Sequence, residues 1–298
     1  MKGTYLRVNG VRLHVVQDGP DHGRLVLLLH GFPEFWYGWR HQIPALADRG
    51  FRVWAPDQRG YNLSEKPSGL DAYTRDQLAA DAAGLIAASG RERAVVVGHD
   101  WGAAVAWRLA GKHPELVDRL VIINVPHPQV FRQHLRTNLG QLLRSWYVFA
   151  FQLPGLPEAL ARWKDWRPLT RALTRTSLPG TFSEEDLARY REAWSRPGAY
   201  PAMLNWYRAA VRRPSPPLED PVIQPPTLVI WGSRDRFLDP ALAEPSAGMC
   251  RDGRLEIFPE ATHWVIHEQP DRVNRLILEH VTEEGRTGRI NPSRERQL

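Results

Sequence analysis

The chain has 298 residues, of which 43% are hydrophobic and 24% charged. These proportions are ordinary for a globular protein and exclude a disordered chain, a collagen-like chain and a small disulfide scaffold. The net charge of +6 does not mark a nucleic-acid binder, because the 39 basic residues are spread among 33 acids without a run long enough to track phosphates.

Residues 5–16 alternate apolar and polar side chains around Asn9-Gly10, which predicts a β-hairpin. Residues 25–29 are a continuous apolar run, as expected of a strand covered on both faces. A second strand is predicted over 51–55, ending at Pro56-Asp57. Thr74 and Gln77 are spaced as a capping box, Leu78, Ala82, Leu85 and Ile86 follow as a helical stripe, and Gly90 stops the helix. Residues 94–97 read as a third buried strand, 103–110 as the helix after it, and 120–123 as a fourth strand. From about 126 to 221 no β-run occurs. Helical patterns over 130–146 and 184–194 are punctuated there by proline-rich stretches. After Pro225-Pro226 the alternation resumes, with strands over 227–231 and 254–258 and a last helix over 270–281. Such alternation predicts an α/β protein: a mostly parallel central sheet with helices on both faces, interrupted by an inserted helical cap. The expected divisions are a core over 1–127, a cap over 128–220, the rest of the core over 221–284, and a polar tail over 285–298.

Gly98-His99-Asp100-Trp101-Gly102 lies between a predicted strand and a predicted helix, the setting of a nucleophile elbow. The small residues two places either side let a strained turn push side chain 100 out above the carboxyl ends of the strands. An aspartate capping an ordinary helix would look the same in isolation. Two further residues favour the elbow: Asp235 follows the strand ending near Trp231, and His263 follows the strand ending at Phe258, in the order nucleophile, acid, histidine. Asp239 is the spare carboxylate for Asp235. His99 and Asp57 read as structural, Asp57 as a partner of Arg59. His267, four residues after His263, has no evident third metal ligand, so neither a metal nor a cofactor is expected.

An aspartate nucleophile suits a saturated carbon rather than an acyl group. It is anionic at neutral pH without a base, and attack on an ester would give only a labile anhydride. The expected intermediate is an alkyl ester of Asp100 formed from an epoxide or a carbon–halogen bond. His263, oriented by Asp235, would then activate water. The oxyanion of that step needs backbone N–H donors, expected from Phe32 and Trp101. A phenol in a dry cap can donate to an epoxide oxygen, and Tyr147 and Tyr207 lie in the cap region. The substrate pocket is expected to be lined by Phe32, Trp36 and Trp101, although Trp36 and Trp39 would serve equally as packing.

His30-Gly31-Phe32-Pro33, Asp57-Gln58-Arg59-Gly60-Tyr61, the 98–102 elbow and the segments around Tyr147 and Tyr207 together resemble the epoxide hydrolases of the α/β-hydrolase superfamily. The resemblance covers roughly residues 3–283. It implies the α/β-hydrolase fold, with Asp100 as nucleophile, Asp235 as charge-relay acid, His263 as water-activating base, and Tyr147 and Tyr207 as the cap tyrosines holding the epoxide oxygen. A cis peptide before Pro33 would also fit. Asn62, where many relatives have glycine, tests a loop conformation. Haloalkane and haloacetate dehalogenases are the alternative enzymes on this fold, and Trp101 could hold a halide. Against them, Phe32 has no side-chain donor, and Trp101 and Ala104 stand where haloacetate dehalogenases use arginines. A non-catalytic ligand-binding relative is the remaining reading. The expected partners are a small apolar epoxide and water, with no nucleic acid and no membrane span. A homodimer is common in such folds, though no residue here demands one. The lone Cys250 and the absence of a secretory block after Met1 fit the cytoplasm.

Overall fold

The computed structural model describes residues 1–282; the tail expected over 285–298 lies outside the described residues. β1 (Lys2–Val8) and β2 (Val11–Asp18) form the anticipated hairpin, with Asn9 and Gly10 both at positive φ, 44° and 74°. That is the geometry a two-residue turn needs to match strand twist. The first parallel segment then runs β3 (Leu25–Leu29), α1 (Gln42–Ala47), β4 (Arg52–Pro56), α2 (Arg75–Ala88), β5 (Ala94–His99), α3 (Trp101–Lys112) and β6 (Val117–Ile123).

The chain then leaves the sheet for six helices: α4 (Pro128–Thr137), α5 (Leu139–Arg144), α6 (Trp146–Ala150), α7 (Leu156–Thr176), α8 (Glu184–Ser195) and α9 (Ala199–Arg212). It returns through β7 (Thr227–Gly232), α10 (Ala243–Ala247), β8 (Gly253–Phe258), α11 (Val265–Glu268) and α12 (Pro270–Thr282). The eight strands are ordered β1-β2-β4-β3-β5-β6-β7-β8. β2 is antiparallel to both its neighbours, and the remaining pairs are parallel.

The period of two along each central strand explains the unbroken apolar runs. In β3, Leu25, Leu27 and Leu29 join one core with α2 and α3, while Val26 and Leu28 join a second core with α1 and α12. The same split holds in β6, with Leu120 and Ile122 on one face and Val121 and Ile123 on the other. A strand buried on both faces has no position left for a polar residue, and each such side chain stabilises the fold by about 1.5–3 kcal/mol.

The helical region is more divided than expected. The pattern over 130–146 is three helices, because the Asn138 backbone turns extended and its side chain caps α5 by accepting from the Gln141 N–H. α7 was not anticipated. It holds Pro168 and is broken by left-handed residues at Lys164, Asp165 and Trp166. Nor was α9, whose aromatic residues mask its period. Buried bonds tie these helices to the sheet: Trp194 Nε1 donates to the Pro33 carbonyl at 2.6 Å, Trp206 Nε1 to the Arg59 carbonyl at 2.9 Å, and the Tyr190 hydroxyl to Glu34 at 2.7 Å.

The expected Asp57–Arg59 pairing is not what forms. Asp57, at the end of β4, meets His14 of adjacent β2 at 2.8 Å and accepts from Asn62 at 2.9 Å. Arg59 lies beyond the turn and reaches α2, where it makes a two-pronged bond to Asp81 at 2.7 and 2.6 Å. Among the described residues, no helix is long and apolar enough to cross a membrane.

Candidate active site

Asp100 sits between β5 and α3 at φ 49°, ψ −125°, a conformation that costs a non-glycine residue about 1–3 kcal/mol. Its neighbours have no room for side chains. A Cβ on Gly98 would lie 2.5 Å from the Gly102 carbonyl oxygen, and one on Gly102 would lie 1.9 Å from that of Leu29. The chain passes as closely on the facing loop, where a Cβ on Gly31 would lie 2.3 Å from the Asp100 Cβ. This packing holds the carboxylate in place. The Phe32 N–H donates to Asp100 Oδ1 at 2.6 Å across a cis Phe32-Pro33 loop, and the Trp101 N–H opens α3, where helix geometry leaves it without an intrahelical acceptor.

His263 lies in the loop after β8 and is buried, with Nε2 3.5 Å from Asp100 Oδ2 and Nδ1 2.8 Å from Asp235 Oδ2. Asp235 also accepts from the Asn124 side chain at 2.8 Å and from the N–H groups of Phe237 and Leu238 at 2.7 and 3.0 Å. Burial alone would raise the Asp235 pKa, but His263, Asn124 and the Leu238 N–H together hold it below the usual range. For His263, burial opposes the charged form and is outweighed by Asp235 and Asp100, which push its pKa up to about 10. At neutral pH the imidazole therefore carries a proton. Asp239 is directed elsewhere: it accepts from the Ala241 N–H at 3.0 Å and from Asn138 at 3.3 Å.

Tyr147 of α6 and Tyr207 of α9 come together above this group, their ring centroids 5.9 Å apart. Phe151 lies against both, at 5.7 and 5.1 Å, and Phe32 packs edge-on to Tyr207 at 5.1 Å. Burial first, and the Asp100 charge second, raise both phenol pKa values well above their ordinary level. Both phenols thus stay protonated donors at neutral pH. They share with Asp100 and His263 the wall of one cavity of about 770 Å³, otherwise lined largely by apolar groups such as Pro33, Leu169, Leu173, Phe237 and Trp264. That volume suits a drug-sized apolar molecule.

Of the three residues expected to line this pocket, Phe32 does so, but Trp36 and Trp101 do not belong to its wall. Trp36 packs edge-on to Phe35 and Tyr37, and its backbone N–H donates to Asp57 Oδ1 at 3.2 Å. The Trp101 indole lies behind Tyr207, ring centroids 5.0 Å apart, and against Trp206 at 5.7 Å. Trp39 is fully buried in the core beneath α1.

Two polar residues of the site escaped the sequence reading. Asn124, at positive φ just after β6, links the Asp235 carboxylate to the Gly232 N–H. A polar residue at the carboxyl end of a buried strand was its one signal. Glu34 is fully buried and receives His267 at 2.7 Å, Tyr190 at 2.7 Å and His99 at 3.2 Å. Burial would raise its pKa, but His267 and His99 hold it well below the ordinary carboxyl range. His99 in turn contacts the His263 backbone carbonyl at 2.8 Å, so this cluster braces the loop carrying the imidazole.

The profile of the α/β hydrolase fold family matches residues 24–270 of the chain. The AB hydrolase superfamily protein YfhM of Bacillus subtilis is 48% identical over 281 residues, covering 94% of this chain and 98% of that protein. Epoxide hydrolase 2 of Caenorhabditis elegans is 37% identical, covering 94% of this chain and 80% of its own length. Among solved structures, the Bacillus megaterium epoxide hydrolase in complex with an inhibitor superposes with a TM-score of 0.86 at 35% identity, covering 94% of this chain and all of that one.

Proposed function

Because the chain belongs to the α/β-hydrolase fold family, and within it to the epoxide hydrolases, we propose that it converts an apolar epoxide and water into a vicinal diol through an ester on Asp100. The observation that carries this reading is the shared cavity wall of one carboxylate, one paired imidazole and two protonated phenols.

In the first half-reaction an Asp100 oxygen attacks a ring carbon, and the carbon–oxygen bond breaks with its electron pair going to oxygen. A phenol of Tyr147 or Tyr207 gives that oxygen its proton. Alkylation removes the Asp100 charge, one of the two that hold the proton on His263. The imidazole then releases its proton, which balances the one the phenol has lost.

In the second half-reaction the neutral His263 takes a proton from water, and hydroxide adds to the ester carbonyl. Asp235 steadies the returning imidazolium. The oxyanion is met by the N–H groups of Phe32 and Trp101. Collapse breaks the bond between the acyl carbon and the alkoxy oxygen, which leaves with its electron pair and takes the proton of the new carboxyl group; this frees the diol and restores the carboxylate with one oxygen from water.

The test is a paired assay on a small aryl epoxide and on a haloalkane, together with intact-mass analysis of His263→Gln. Diol without halide is expected, and the variant should gain the mass of one substrate on the peptide containing Asp100. Halide without diol, or an adduct on another peptide, would contradict the reading.

A further inference from the structure

Large apolar side chains are not exposed evenly over this protein. Thirteen are exposed among the described residues, and nine of them fall between Leu139 and Trp163. Leu139 is 77% exposed, Trp146 67% and Trp163 55%. Lone exposed apolar residues need no explanation, but a cluster of this kind marks a surface that meets something apolar. The cluster runs into the catalytic cavity, since Leu143, Trp146, Leu153, Leu156 and Leu160 are both exposed and part of its wall.

The same stretch is strongly basic. Residues 128–176 hold eight arginines and lysines and only two acids. Both acids are already engaged: Glu158 by Arg208 of α9 at 2.8 Å and Asp165 by Arg191 of α8 at 3.6 Å. None of the eight cations lies within ion-pair distance of a described carboxylate. The break in α7 contributes to this arrangement. Its left-handed residues let Trp166 sink among Trp194 and Tyr200 while Trp163 stays outside, with the Lys164 ammonium 4.7 Å from its ring centre.

We propose that this face docks on an anionic phospholipid surface, so that apolar substrates pass from the bilayer into the cavity without crossing water. Exposed leucine, phenylalanine and tryptophan in a stretch whose arginines and lysine make no ion pair is the composition that lies in a headgroup region, where apolar area and attraction to anionic lipid add. A second copy of the chain fits the charge less well, since two such basic faces would repel.

The experiment is sedimentation of the full chain with vesicles of phosphatidylcholine alone and of phosphatidylcholine with about a third phosphatidylglycerol. Binding should favour the anionic vesicles by at least roughly tenfold and weaken as salt rises. Arg162→Glu with Lys164→Glu should lower the partition coefficient at least roughly tenfold, and so should Leu139→Glu with Trp163→Ser. None of these four residues lines the cavity, so hydrolysis of a water-soluble epoxide, with a wild-type melting curve, should be retained. Equal binding to both vesicles, no binding to either, or a dimer lost in these variants without any vesicle binding would each overturn the proposal. The readout is lipid partition, so its failure is distinct from a failure of the catalytic reading.

Discussion

Under the proposed mechanism, replacing the two cap phenols by phenylalanine should separate the first half-reaction from the second. Tyr147→Phe and Tyr207→Phe keep the ring contacts with Phe151, Phe32 and Phe237 and delete only the hydroxyls. Removing one preorganised donor to a developing oxyanion costs about 2.7–4 kcal/mol, or roughly 10²–10³ in rate. Each single variant keeps one donor, so its alkylation rate should fall by roughly 10²-fold, and the double variant's by more than roughly 10³-fold. Stability should change by less than about 1.5 kcal/mol, because at most one hydroxyl bond is lost per site. The assay is single-turnover mixing with an aryl epoxide, quenching at intervals and measuring the ester by intact mass. Decay of ester already formed should be much less affected. Both phenol pKa values are raised, so wild-type alkylation should show no loss from phenol ionisation near pH 10. A double variant that alkylates within about threefold of wild type would refute the role given to the phenols.

Gly102→Ala should lower urea-unfolding stability by about 3 kcal/mol or more, because the new Cβ meets the Leu29 and His30 carbonyls at 1.9 and 2.6 Å, and β3 cannot yield without disturbing both cores. Ester hydrolysis should rise with pH along a limb below the free-enzyme His263 value of about 10, since alkylation removes the Asp100 contribution. Because that folded value lies above the unfolded 6.5, the charge on His263 stabilises fully below about pH 6.5, and the stabilisation is lost as pH rises through about 10; thermal unfolding of His263→Gln should show a flatter decline over that window. Asp235→Asn should slow ester hydrolysis by roughly 10²–10⁴-fold and lower the pH of the rising limb, with ester accumulating in a rapid-quench experiment.

The sheet and the elbow were legible because both are written locally. A strand buried on two faces must be apolar throughout, and β3 was read to the residue. The elbow needs glycine on both sides of Asp100, so a five-residue string reports its geometry. The triad followed because open sheets bring post-strand loops to one edge, which placed Asp235 and His263 beside Asp100 without knowledge of the strand order. The helical region was harder. α7 contains Pro168 and three left-handed residues, and its break is stabilised by Trp166 packing on Trp194 and Tyr200, contacts with no local trace. The pairing of Arg59 with Asp81 spans 22 residues, and Glu34 gathers partners from three separate segments. Trp36 and Trp101 were placed in the pocket from chain proximity to the reacting groups, whereas their rings turn into neighbouring aromatic packing.

The covalent role proposed for Asp100 is tested most directly by one turnover in heavy-oxygen water with enzyme in excess over epoxide. The first diol should carry an ordinary oxygen donated by the Asp100 carboxylate, and the heavy oxygen should be found in the Asp100 side chain by peptide mass. A first diol already labelled from solvent, with Asp100 unlabelled, would mean that water attacks the epoxide directly and that no ester is formed.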